Sequence, residues 1–356
     1  MRREVPVSLS FASNTSGRET RRAMRVELKK RKEKMKMTRR ILAMLMALVM
    51  VFALAACGGD SGEADNGEEV LSAEELKAQV DEIIAGLTVP ENIDPATVQG
   101  CEDGVLTVAM ECAYAPYNWA QMDDSNGAVE ISNASGSYAN GYDVMIAKII
   151  CDIYGWDLEV VSSAWESLTA GVQSGVYDAN IAGQSMTAER MNEVDMAGPY
   201  YYADIVVVTT KDSKYADAKS ITDLAGGTAT AQSGTIWYES CLPQIPDVNL
   251  LAPAETAPSM IMSLTTGQCD YICTDVPTAT AAAQKDDNLV ILNFSGTDGD
   301  FQFATEEERD ENVNIGIAVQ KGNTSLLDAM NAVLSQMDRD DFNTIMSYAI
   351  SVQPEI

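Results

Sequence analysis

From Val105 onward, short apolar strand patterns alternate with helical ones, and no other feature restricts the fold of this chain so tightly. Strand patterns occupy residues 106–110, 158–161, 205–209, 271–274, 290–293 and 315–319, with a weak one at 228–231 and another entered at 178–181. Helical spacing of apolar residues occupies 142–153, 165–172, 257–265, 276–284, 326–337 and 342–350. Strands and helices that take turns along a chain predict an α/β architecture with mostly parallel sheets. The 356 residues are enough for two domains, and 46% apolar content supplies a core. No internal repeat of 20–50 residues is present. In open α/β sheets, ligands bind outside the carboxyl ends of the strands. Residues 183–190, the pair Gly234-Thr235 and Asp275 each follow a strand pattern. Three polar stations from distant parts of the chain therefore point to one cleft.

Charge is distributed unevenly. The first 56 residues hold 14 Lys and Arg against 4 Asp and Glu, whereas the rest hold 10 against 49, a net charge of −39. A body so acidic repels nucleic acid and anionic lipid. The basic excess has the form of a targeting signal. Lys34, Lys36, Arg39 and Arg40 precede an apolar stretch at 41–56, which ends in Leu54-Ala-Ala-Cys57-Gly-Gly. That order describes a secretory signal peptide. Its end resembles the bacterial lipobox, in which cleavage before the cysteine leaves Cys57 as a lipid-bearing N-terminus. The alternative is an uncleaved N-terminal anchor. Either way the body is expected outside the cytoplasm and attached to the cell membrane. The polar, basic stretch 1–34 has no place in such a signal, so translation is expected to begin at Met35 or Met37.

Residues 58–69 are small and acidic, the composition of a flexible, self-repelling tether. Ser72-Ala-Glu-Glu75 is a capping box, followed by Leu76, Val80, Ile83, Ile84 and Leu87 at helical spacing. This helix is either a spacer or packs on the body. Six cysteines follow Cys57: Cys101, Cys112, Cys151, Cys241, Cys269 and Cys273. They admit 15 pairings, or else are buried free thiols. No CxxC motif is present, which argues against a redox or zinc site.

Six motifs carry a family resemblance. They are Leu106-Thr-Val-Ala-Met-Glu-Cys-Ala-Tyr114-Ala-Pro116-Tyr117; Gly141-Tyr-Asp143-Val-Met-Ile-Ala147; Trp165-Glu-Ser-Leu168 with Ser174-Gly175-x-x-Asp178; Ile181-Ala-Gly-Gln-Ser-Met-Thr-Ala-Glu-Arg190 with Val194-Asp195-x-x-x-Pro199-Tyr200-Tyr201; Asp223-Leu-Ala-Gly226 with Gln232-Ser-Gly-Thr235; and Asp270-Tyr271 with Thr274-Asp275. From about residue 105 to 350 the chain resembles the family 3 extracellular solute-binding proteins, polar amino-acid receptors of ABC importers. The resemblance implies the two-lobed, type II periplasmic-binding-protein fold: two α/β lobes, each a mixed sheet flanked by helices, joined by two hinge strands. Lobe 1 would comprise residues 100–204 and 314–356, lobe 2 residues 205–313, preceded by the signal segment 1–56 and the tether and helix at 57–99.

The site can also be read from the residues. A zwitterionic amino acid needs a cation for its carboxylate and an anion for its ammonium. A guanidinium is the preferred carboxylate clamp, because its planar fork gives two parallel hydrogen bonds. Beyond residue 57 the only arginines are Arg190, Arg309 and Arg339. Arg190 alone follows a strand-end turn with hydroxyls, at Ser185 and Thr187. The resemblance places the family's carboxylate-binding arginine at Arg190 and its ammonium-binding aspartate at Asp275. Asp275 also suits the N-cap of the helix opening at Val276-Pro277. Ser185 and Thr235 match hydroxyl donors, alongside Gly183 and Gln184 of the same motif. Tyr114 and Trp165 match aromatics that sandwich the ligand side chain. Glu111 stands where relatives taking cationic or amide side chains carry an acid. Residues 123–140 are longer than the family's usual turn, a loop able to shield the cleft or meet a partner.

The expected function is therefore capture of a free amino acid by lobe closure and delivery to an ABC permease in the membrane. No catalytic residue, metal or other cofactor is expected, and the chain contains no histidine. The competing readings are a ligand-sensing receptor domain of the same fold and a dehydratase-type enzyme. The first would need a transmembrane anchor with a cytoplasmic output domain, and the second would leave Glu111 to act alone.

Overall fold

The computed structural model describes residues 71–354. The expected targeting segment, Cys57 and the expected tether lie outside the described residues. Two five-stranded sheets organise the remainder. The first has the order β6-β1-β7-β14-β8, with β1 at Val105–Met110, β6 at Asp157–Ser162, β7 at Ala179–Asn180, β8 at Asp195–Tyr202 and β14 at Asn314–Val319. The second has the order β11-β10-β12-β9-β13, with β9 at Ile205–Thr210, β10 at Thr228–Thr230, β11 at Asn249–Leu250, β12 at Tyr271–Asp275 and β13 at Leu289–Leu292. The described helices are α1 (Ala73–Ala85), α2 (Tyr142–Tyr154), α3 (Leu168–Gln173), α4 (Ala188–Glu193), α5 (Ala257–Thr265), α6 (Val276–Lys285), α7 (Glu306–Val313), α8 (Thr324–Leu334) and α9 (Arg339–Val352).

Strand–helix alternation alone predicts mostly parallel sheets, but each sheet is evenly mixed. β1 runs parallel to β6 and β7, while β14 runs antiparallel to β7 and β8. Likewise β10 is parallel to β11 and β12, while β9 is antiparallel to β12 and β13. The reason is the way the chain changes sheets. β9 and β14 are each the first strand after the chain passes from one sheet to the other, so neither is bound by the helical crossover that keeps βαβ units parallel. Residues 203–204 link β8 directly to β9, and α7 leads back into β14. Both strands end up inside their sheets and are almost wholly buried. A strand buried on both faces reads as a continuous apolar run, as in Ile205-Val-Val-Val.

A third, four-stranded sheet of order β2-β3-β5-β4 is built from Ala113–Tyr114, Asn118–Gln121, Tyr138–Asn140 and Val129–Glu130. Two of its strands, β4 and β5, come from the long segment 123–140. That segment is fastened to the edge of the first sheet: Ile131 bridges Val160, and Asn133 exchanges two hydrogen bonds with Ser162.

α1 begins with the capping box read from the sequence, Ser72 and Glu75 each bonding the other's backbone. It packs on α9 with Leu76 and Val80 buried, and Gln336 receives both the backbone and side chain of Thr88. This helix therefore belongs to the packed body. No helix among the described residues is long and apolar enough to cross a membrane. All six cysteines among the described residues are buried and free. Burial pushes the Cys112 and Cys151 thiols up to about 12, so they behave as small apolar side chains.

Candidate functional site

Residues just past the carboxyl ends of β6, β7 and β10 line a cavity of about 730 Å³ between the two sheets. Its wall on the first-sheet side is made by Tyr114, Trp165, Gly183, Ser185 and Arg190; the other wall includes Gln232, Gly234, Thr235 and Trp237. The three stations inferred at strand ends thus converge in part: residues 183–190 and the Gly234-Thr235 pair line one space. Asp275, Glu111 and Gln184 stand behind the lining.

Arg190 sits on α4, whose first turn is capped by Thr187 Oγ1 accepting from the Arg190 N–H at 3.2 Å. Its guanidinium donates to the Ser185 carbonyl and lies 6.0 Å from the centroid of the Trp165 ring. Among the described residues it is in no ion pair. Burial pushes its pKa down to about 10, while Glu189 and Glu193 pull the other way. A guanidinium held by a carbonyl and an indole, yet without a carboxylate, retains N–H donors for an incoming anion. Neighbouring Glu166, Glu189, Glu193 and Glu239 also line the cavity, so its wall is acidic overall.

Gly183 has φ +63°, and a Cβ there would lie 2.6 Å from Tyr114 Cε1. Glycine is required both by the backbone and by the aromatic ring laid against it. The Gly183 N–H donates to Tyr200 Oη at 3.0 Å; Tyr200 in turn donates to Asp143 at 2.6 Å, and Asn118 holds the other Asp143 oxygen at 2.8 Å. This buried network fixes the turn that carries Ser185 and Arg190. It also explains the Gly-Tyr-Asp motif, whose aspartate is an internal acceptor with its pKa raised to about 6 by burial.

Tyr114 is 1% exposed and stacks on Tyr117 at 4.9 Å. Its hydroxyl donates to Asp275 Oδ2 at 2.6 Å, from the opposite side of the cleft. Asp275 is itself 1% exposed, and its Oδ1 accepts from the Thr278 N–H at 2.8 Å as the N-cap of α6. Burial raises the Asp275 pKa, against the pull of these bonds. Glu111, after β1, accepts from Gln232 Nε2 at 3.4 Å, and burial raises its pKa to about 7. Gln184 is 2% exposed and turned inward, accepting from Asn180 at 2.7 Å. Thr235 donates to the Gln232 carbonyl at 2.7 Å and so shapes its own turn while lining the cavity.

Sequence reasoning missed Trp237, Gln232 and the acidic lining. Trp237 is 5% exposed, and its ring lies 6.4 Å from that of Tyr114. It belongs to a five-residue π-helical turn, Trp237–Cys241, whose spacing matches neither strand nor α-helix periodicity. Only its position three residues after Gly234 could have signalled it. Among the described residues no group of three or more cysteines or carboxylates is placed to hold a metal ion.

Comparison with known proteins agrees with this geometry. The sequence profile of the bacterial extracellular solute-binding proteins, family 3, matches residues 106–347. The L-cystine-binding protein TcyA of Bacillus subtilis is 26% identical over 306 residues, covering 85% of this chain and 94% of that protein. An amino acid ABC transporter substrate-binding protein of Streptococcus pneumoniae, solved bound to L-arginine, is 26% identical with a TM-score of 0.59, covering 73% of this chain and 99% of that one. The ancestral amino acid-binding protein AncCDT-1, described as a precursor of cyclohexadienyl dehydratase, is 25% identical with a TM-score of 0.54, covering 68% of this chain and 94% of that one.

Proposed function

We propose, because this chain belongs to the bacterial extracellular solute-binding proteins of family 3, that it is the lipid-anchored substrate-binding component of an amino-acid ABC importer. Its ligand is a free amino acid with a cationic or amide side chain. The observation that carries this reading is Arg190: a guanidinium in the cavity wall, paired with no carboxylate among the described residues. A desolvated cation without an anion is costly unless an anion arrives. The α-carboxylate supplies it, with Ser185 beside the clamp and Trp165 and Tyr114 flanking the side chain.

A neutral zwitterion would use Arg190 and leave the acidic lining unanswered. A side chain with a positive charge, or with amide donors, answers it and Glu111 as well. Residues 100–204 with 314–356 form lobe 1 and residues 205–313 form lobe 2 in this reading. The ligand is released by hinge opening between them. Cys57 carries the lipid, and the closed form is what the permease receives. Binding and release involve no bond-making step.

A thermal-shift screen of the purified protein tests this against the twenty amino acids, L-cystine and a few polyamines. Arginine, lysine, histidine or glutamine should give the largest stabilisation. Stabilisation by none of the amino acids would remove the reading, and preference for an acidic or aliphatic one would remove the side-chain assignment.

A further inference from the structure

Asp275 has no face on the cavity, because the Tyr114 hydroxyl occupies its outer oxygen at 2.6 Å and the Thr278 N–H occupies the inner one at 2.8 Å. The two partners come from different sheets: Tyr114 belongs to the segment after β1, and Asp275 ends β12. Both are 1% exposed. Two more buried hydroxyls, Tyr117 Oη and Thr278 Oγ1, also pull the pKa of this carboxylate down, although among the described residues neither reaches full hydrogen-bond geometry with any partner. The side chains around Asp275 thus offer it only hydroxyl protons, that of Tyr114 the best placed. A tyrosine hydroxyl brings a single proton; an α-ammonium brings three.

We propose that Tyr114 is a built-in competitor for the ligand ammonium at Asp275, and so sets affinity for every α-amino acid by the same factor. This rests on the reading of Asp275 as the ammonium station. Binding exchanges one charge-assisted hydrogen bond for another. The Tyr114 O–H leaves Asp275 Oδ2, and the ammonium takes its place. Tyr114 therefore differs from a residue that merely touches ligand. Its hydroxyl stabilises the protein before the exchange and contributes nothing at Asp275 after it.

The test is calorimetric titration of the parent and Tyr114→Phe with L-arginine, L-glutamine and L-cystine. Losing a hydrogen bond to a charged group on the unbound side should tighten binding about tenfold. Each probe that binds should gain by the same factor. Weaker binding, or a change of less than twofold, overturns the proposal, since a direct ligand contact would weaken and an idle hydroxyl would do nothing. The Tyr114–Asp275 bond is tested separately by melting the amino-acid-free protein. Tyr114→Phe and Asp275→Asn should each lower Tm, and the double variant should fall no further than the worse single; asparagine keeps the α6 cap. Additive losses overturn the bond and the proposal with it. Should the parent bind none of the three probes while the melting cycle shows coupling, the failure lies with the amino-acid reading, and the competitor role falls with it.

Discussion

Gln232 Nε2 meets Glu111 Oε2 at 3.4 Å across the cleft, joining a residue just past β10 to one just past β1. Burial lifts the Glu111 carboxyl from 4.5 to about 7, with the Gln232 contact pulling it down. The side chain thus changes charge within the physiological range.

Affinity for L-arginine should rise with pH through that range. A cationic side chain favours ionised Glu111, which is the minority form at pH 6 and the majority form at pH 8. The gain across this interval is about tenfold for a group titrating near 7. Glu111→Gln should abolish the slope. Calorimetry at the two pH values checks this, and an equal slope in the variant would assign the pH dependence elsewhere. Stability runs the other way. A carboxyl whose folded pKa is raised holds its proton more tightly folded than unfolded, so stability falls as pH rises from 4.5 towards 7. Asp143, raised from 3.8 to about 6, adds to the fall at the lower end. Glu111→Gln should therefore melt higher than the parent at pH 8.

Arg190→Ala should abolish amino-acid stabilisation at moderate ligand concentration and leave the free protein folded. Truncating one partner of a buried charge pair costs about 2–5 kcal/mol, roughly 30- to several thousand-fold in Kd. Arg190→Lys should recover only part, since an ammonium cannot reproduce the planar fork. Binding by the alanine variant within twofold of the parent would remove Arg190 from the site.

Arg309 and Arg339 look alike in sequence as arginines outside the site, yet the structure separates them. Arg309 Nη1 lies 2.9 Å from Asp300, which is nearly buried, and Nη2 lies 3.7 Å from Asp204 on the link between β8 and β9. It stands on α7, just before the return to β14, so it ties the two crossings between sheets together. Arg309→Ala leaves the Asp300 carboxylate unpaired and should cost about 3 kcal/mol of stability. Arg339 is exposed, its guanidinium 4.5 Å from the Tyr202 centroid, and its alanine variant should lose less than about 1 kcal/mol. Equal melting temperatures for the two variants would contradict the assignment. Arg339→Ala is accordingly the proper binding control for Arg190→Ala.

Cys57→Ser should release the protein from the membrane or leave it unprocessed. Fractionation and intact mass measure this. Unchanged membrane retention with an unchanged mature mass would exclude lipid on Cys57.

Much of the fold was open to sequence reasoning because burial writes a period into the chain. Val105–Met110, Ala257–Thr265 and Ile205–Thr210 lie where apolar spacing put them, to within a residue. The strand β8 was not anticipated, since Asp195–Tyr202 carries glycine, proline and three successive tyrosines in place of an alternating pattern. The small sheet of residues 113–140 escaped for a similar reason: its strands of two to four residues are too short to show a period.

The site divides along the same line. Sequence determined which residues stand at strand ends, because a strand's length and the turn after it are local matters. It thereby brought Arg190, Ser185 and Thr235 to one cavity without any knowledge of how the sheets meet. What each side chain then faces was decided by tertiary structure alone. Asp275 points at Tyr114, 161 positions away; Gln232 reaches Glu111, 121 positions away; Trp237 enters the wall from an irregular turn. Those outcomes depend on how the two sheets are set about the cavity, and on buried polar groups taking the nearest partner offered. Contacts between residues far apart in the chain leave no period in the sequence, so only the folded arrangement reveals that the Tyr114 hydroxyl sits on the carboxylate expected to receive an ammonium.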